Sequence, residues 1–214
     1  DTATAYNNIG SAMYSKGDYD DALRNYERGL AIYNNTLGED SPNAATSYDN
    51  IGSVMHSNGD YKGALKMHRQ ALAIHKKMLG ENNTNTANSY NNIGLAMKSK
   101  GDYDGALEMF KRALAIYKNS LGDINPNTAT SYNNLGGCFD SKGDYDKALE
   151  MHQQALVIYK KTLGDDHNAT ATSYNNIGSV LYSKGDYDGA LERYQRALVI
   201  YKKTLENDNP NFAL

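Results

Sequence analysis

The sequence predicts an all-α solenoid of five antiparallel helix pairs. Three observations carry that prediction. The tripeptide Gly-Asp-Tyr begins at Gly17, Gly59, Gly101, Gly143 and Gly185, a constant step of 42 residues. The same step relates Tyr6, Tyr48, Tyr90, Tyr132 and Tyr174, then Gly10, Gly52, Gly94, Gly136 and Gly178, then Leu37, Leu79, Leu121, Leu163 and Leu205. Within a step, apolar residues recur at three- and four-residue spacing, the period of a helix with one buried face. A fixed long period marks stacked supersecondary units. The units run 1–41, 42–83, 84–125, 126–167 and 168–209, and residues 210–214 read as the start of a sixth. The chain reads as one array, with no separate domain or linker.

The second unit shows the logic of each element in order. Ser41 can cap a first helix whose opening turn holds Pro42, where a missing N–H costs nothing. Ala45, Tyr48, Ile51, Gly52 and Met55 give that helix one apolar face. Gly59 can adopt the left-handed conformation that ends it, and Asp60 can cap the second helix. Tyr61, Ala64, Leu65, His68, Ala71, Leu72, His75 and Leu79 form the stripe of the second helix, which stops near Gly80. At 1.5 Å per residue that helix is roughly 30 Å long. Gly52, Ala64 and Ala71 leave room for close approach of the two helices. A pair alone cannot cover its apolar faces, so pairs must stack.

Composition excludes several classes. Lys+Arg 22 against Asp+Glu 25 gives a net charge of −3, which argues against a nucleic-acid or anionic-lipid surface. A mean hydropathy of −0.70 and no long apolar run argue against a membrane span. A single Cys leaves no internal disulfide framework and fits a reducing, cytoplasmic setting. The absence of an initiator Met and of a signal-peptide pattern reads as a mature chain or an excised fragment.

The residues resemble tetratricopeptide repeats, whose motif sets a large aromatic, Leu-Gly, an aromatic, Gly, Ala, an aromatic and Ala in order. The third unit reads Tyr90, Ile93, Gly94, Met97, Gly101, Ala106, Phe110, Ala113, and the fifth Tyr174, Ile177, Gly178, Leu181, Gly185, Ala190, Tyr194, Ala197. The eight extra residues per unit, with Asn-Asn-Ile-Gly in the first helix and Arg-Ala-Leu-Ala-Ile-Tyr in the second, are similar to the kinesin-light-chain type. No heptad segment is present, so the resemblance does not extend to motor attachment. It implies an open right-handed superhelix whose concave groove, lined by the first helices, holds a peptide segment of a protein partner.

Mapped onto this chain, the groove candidates are Asn7 and Asn8, Asp49 and Asn50, Asn91 and Asn92, Asn133 and Asn134, and Asn175 and Asn176. A side-chain amide both donates and accepts, so a row of them can hold a peptide backbone without reading much sequence. An alternative stands beside this: one Asn of each pair bonds to a neighbouring helix, and duplication copied both. Unit-specific positions would then supply specificity. One row runs Ser11, Ser53, Leu95, Gly137, Ser179 and another Tyr14, His56, Lys98, Asp140, Tyr182. Leu95 beside Gly137 would form a small apolar pocket flanked by Lys98 and Asp140, unless these rows record neutral drift. Relatives that clamp a terminal carboxylate use Lys and Arg where Asn and Asp stand here, which argues against that ligand class.

Other reactive residue types have plainer readings. His68 and His152 stand where other units have Tyr26, Phe110 and Tyr194, and His75 replaces Tyr33, Tyr117, Tyr159 and Tyr201. They read as packing residues, with no metal site. Cys138 aligns with Ala12, Val54, Ala96 and Val180, a small buried position. Asp18, Asp20 and Asp21 suit the start of a helix. Nothing reads as an enzyme or calls for a cofactor. The expected function is a non-enzymatic interaction scaffold. The competing expectation is head-to-tail self-association through uncapped ends, since every unit offers the same stacking faces.

Overall fold

The computed structural model describes residues 2–208, which form ten α-helices and, among the described residues, no strand. They are α1 (Thr2–Lys16), α2 (Tyr19–Leu37), α3 (Pro42–Ser57), α4 (Tyr61–Leu79) and α5 (Thr84–Ser99), then α6 (Tyr103–Leu121), α7 (Pro126–Ser141), α8 (Tyr145–Leu163), α9 (Asn168–Lys184) and α10 (Tyr187–Asp208). The sixth unit expected at 210–214 lies outside the described residues. The chain divides into two compact units between Ile116 and Tyr117.

Local chemistry sets the helix ends. The Ala44 N–H donates to Ser41 Oγ at 3.2 Å at the start of α3, and the Gly63 N–H donates to Asp60 Oδ1 at 2.9 Å at the start of α4. Gly59 and Gly80, with φ of +84° and +89°, hold the backbone where a side chain is strained, and so end α3 and α4. Asp18, at the start of α2, differs from Asp60 at the start of α4. It makes no side-chain cap bond to α2, and its carboxylate lies 3.6 Å from Lys16 Nζ.

In the first compact unit α1 packs on α2 and α3 on α4, while α2 meets α3 and α4 meets α5. The second repeats the scheme with α7 on α8, α8 on α9 and α9 on α10. Ile51 and Val54 of α3 are buried with Ala22 and Tyr26 of α2, and Ile93 and Ala96 of α5 with Ala64 and Leu65 of α4. Burying each isoleucine, valine or leucine of these sets contributes about 1.5–3 kcal/mol. The helical glycines have a steric cause. A Cβ at Gly94 would lie 2.6 Å from Cε1 of Phe110, which is fully buried, and one at Gly52 would lie 2.7 Å from the His68 ring.

Candidate functional site

Each first helix carries two consecutive polar residues about 100° apart around its axis, and the two face different surroundings. In the first four pairs the first residue stands between helices. Asn7 of α1 donates from Nδ2 to Ser47 Oγ of α3 at 3.1 Å. A Cβ at Gly29 of α2 would lie 2.5 Å from Asn7 Oδ1, so Gly29 makes the space that Asn7 occupies. Asn133 of α7 accepts from His152 Nδ1 of α8 at 2.8 Å and donates to Ser173 Oγ of α9 at 3.2 Å. Asn91 is buried, and its Oδ1 has no partner among the described residues. Asn175, on the last first helix, is exposed.

The second of each pair is arranged differently. Asn8 is exposed, and Asn50, Asn92, Asn134 and Asn176 are half-buried. Asn92 Nδ2 reaches back to Asp49 Oδ1 at 3.4 Å. Among the described residues, no side-chain hydrogen bond involves Asn8, Asn50, Asn134 or Asn176, and solvent reaches their amides. On the same helices, Leu95 of α5 is exposed, with Lys98 half-buried one turn further on. Asp140 of α7 is half-buried in the second compact unit.

A polar cluster around Asp49 escapes a reading of the sequence one residue at a time. His68 Nδ1 lies 2.8 Å from Asp49 Oδ1, while Ser89 Oγ donates to Oδ2 at 2.8 Å. His75 Nδ1 lies 3.0 Å from Ser89 Oγ and 3.9 Å from Asp49 Oδ2. Ser89 gives its one proton to Asp49, so the neutral His75 ring donates from Nδ1 and leaves Nε2 buried without a partner. Burial pushes the His75 pKa below its ordinary value, against the opposing pull of Asp49. His56 is also lowered, by burial first and by the nearby His68 second. The sequence did hold a signal. Unit two alone has Asp at the first-amide position, and it also has two His on the second-helix stripe.

The other buried rings match the packing reading. His68, His75 and His152 are nearly inaccessible, as is Cys138. Tyrosines at the His75 position bond to a first-helix threonine, Thr4 to Tyr33 at 3.0 Å and Thr130 to Tyr159 at 2.8 Å. Burial raises the Tyr159 phenol pKa, with Thr130 and Asn133 pulling the other way. Among the described residues, no group of three or more His, Cys, Asp or Glu side chains is placed to hold a metal ion, and no helix is long and apolar enough to cross a membrane.

The family model for the tetratricopeptide repeat matches residues 1–77, 50–119, 85–161 and 127–203, which together span nearly the whole chain. The chain belongs to the tetratricopeptide repeat family. The ten described helices fall in five pairs, each pair within a 42-residue unit. Among solved structures it is similar to nearly identical TPR-like repeats of a putative kinesin light chain from Podosopora anserina, with TM-score 0.76 and 22% identity over 94% of this chain and 95% of that one. BtubC (BKLC) from P. vanneervenii gives TM-score 0.78 and 24% identity, covering 91% of this chain and 78% of that one. A Rap protein complexed with competence and sporulation factor gives 0.81 and 18%, covering 94% and 54%. At these identities the likeness establishes a TPR-like solenoid fold and nothing finer. No curated protein matches the sequence.

Proposed function

We propose that this protein is a non-enzymatic interaction scaffold that holds a peptide segment of a protein partner along the faces of its first helices. The observation that carries this reading is the second amide row. Asn8 and Asn50 in the first compact unit, and Asn134 and Asn176 in the second, have solvent-accessible amides that no neighbouring side chain uses. An extended peptide carries one donor and one acceptor per residue, which such amides complement. The first row of Asn7, Asp49, Asn91, Asn133 and Asn175 shapes the groove, and Leu95, Lys98 and Asp140 add unit-specific contacts. The family is one of protein-interaction repeats, and a Rap protein of the same fold was solved with competence and sporulation factor bound. The test is selection of peptides from a random display library, followed by affinity measurements on the parent and on Asn8, Asn50→Ala. Each net hydrogen bond contributes about 0.5–1.5 kcal/mol, so the double variant should bind at least about fivefold more weakly. Equal affinity would remove the amide row from the account.

A specific observation favours a second reading, head-to-tail self-association. Ile9 of α1 is 44% exposed where its counterpart Ile51 is 3%, and Leu191 of α10 is 55% exposed where Leu65 is 8%. These positions form the faces through which successive pairs stack. Sedimentation equilibrium tests this reading: mass should rise with concentration and fall back to the monomer on Ile9→Asp. A monomer at every concentration would exclude it.

A further inference from the structure

Helix α4 breaks the charge pattern of the repeat. It carries Lys62, Lys66, Arg69, Lys76 and Lys77 and not one Asp or Glu. Where α4 has Lys62, the other four second helices have Asp20, Asp104, Asp146 and Asp188, and where it has Lys66, units three to five have Glu108, Glu150 and Glu192. An acidic first turn complements the positive end of the helix dipole, so Lys62 stands in an electrostatically adverse place. The neighbouring helix sharpens the contrast. In the second compact unit Lys184, at the end of α9, pairs with Asp146 of α8. The residues in the corresponding places of the first unit are Lys100 and Lys62, two cations.

Lys62, Lys66, Arg69 and Lys100 line one open cavity of about 540 Å³, with Leu65 and Ala73 as its apolar part. Lys76 and Lys77, further along α4, are paired with Glu81 and Asp40. Among the described residues the four cavity cations have no such partner, and no carboxylate lines the cavity. A second large cavity, in the other compact unit, differs in this respect. There Lys160 pairs with Asp165 and Lys203 with Asp166. The chain as a whole is acidic, so this concentration of unpaired positive charge is local and not a general property of the surface.

We infer that this face of α4, together with Lys100, is a docking surface for an acidic peptide segment, a run of Asp or Glu side chains on a protein partner. Lys62, Lys66 and Arg69 lie on one stripe of the helix, at intervals of four and three residues, and that stripe runs about 10 Å along the axis. That is longer than a single small anion. It matches an extended peptide, whose same-side carboxylates recur about every 6.6 Å, close to the rise of about 6 Å from Lys62 to Lys66. The aliphatic stems of the lysines and the exposed Ala73 can pack against the methylenes of glutamate. The surface belongs to a second helix and is separate from the amide rows of the first helices, so the two can be tested apart.

The experiment measures fluorescence polarisation of a labelled octaglutamate peptide with the full chain, at low and at physiological salt. The comparison is the double variant Lys62→Asp, Lys66→Glu. Those substitutions install the residues that other units carry and place an acid opposite Lys100, so the variant should fold and melt at least as high as the parent. The expected result is saturable binding to the parent that weakens with salt, lost at least about tenfold in the variant. An uncharged octaglutamine peptide should not bind. Equal binding by parent and variant, or no binding by the parent at low salt, would overturn the proposal. Binding of phosphatidylserine vesicles in place of the peptide, abolished by the same substitutions, would also overturn it in favour of a membrane surface.

Discussion

Asn133 and Asn134 are adjacent, chemically identical and on one helix, yet the structure gives them different surroundings, so their alanine variants should differ sharply. Asn133→Ala removes the acceptor for His152 Nδ1 and the donor to Ser173 Oγ, both on nearly inaccessible residues. Leaving a buried polar group without its partner costs about 1–3 kcal/mol, and the second lost bond adds about 0.5–1.5 kcal/mol. Alanine returns up to about 0.7 kcal/mol of helix propensity. The net loss is about 1–4 kcal/mol, or a fall of about 2–4 °C in Tm per kcal/mol for a chain of this size. Asn134→Ala gains the same propensity and breaks no bond, so it should be neutral or slightly stabilising. Urea titration followed by far-ultraviolet circular dichroism gives both midpoints, with the slope checked for a shift away from a single transition. Equal midpoints for the two variants would refute the division of the amides into an inner and an outer row.

Other outcomes follow from the same geometry. Gly94→Leu should destabilise by about 1–3 kcal/mol or more, because even a Cβ there would lie within 2.6 Å of the buried Phe110 ring; an unchanged melt would contradict the close-approach account. With the folded pKa of His75 below its unfolded value of about 6.5, the native state binds fewer protons than the unfolded one in that range. Stability should therefore be fully present above pH of about 6.5 and fall as the solution is acidified below it. His75→Tyr restores the residue of the other units, places its hydroxyl toward Thr46, and should flatten that pH profile; a profile of the same slope would assign the effect to another group.

Much of the fold was legible in the sequence because the repeat imposes it. The Gly-Asp step marks each helix break, since Gly59 needs a positive φ and Asp60 supplies a cap, and both effects act within three residues along the chain. The apolar stripe likewise fixed which side of α4 meets its partner. That one asparagine of each pair would bond to a neighbouring helix stood among the readings of the sequence, but which of Asn133 and Asn134 does so was not legible. Neighbours on a helix differ by about 100°, and the boundary between packed and open faces falls between them. Periodicity locates the middle of a face far better than its edge. The Asp49 cluster was hidden for another reason. Its members come from α3, α4 and α5, with partners up to 40 residues apart, as in Ser89 to Asp49. The charge inversion at Lys62 shows on aligning the units, but its meaning needed the Lys184–Asp146 pair to reveal what normally stands there.

The most direct measurement of the central proposal is a titration of the isotope-labelled protein with a library-selected peptide, following the side-chain amide resonances of asparagine. The Asn8 and Asn50 amides should shift on binding while that of Asn7, engaged with Ser47, stays in place. Shifts confined to the second helices, with those first-helix amides unmoved, would contradict that proposal.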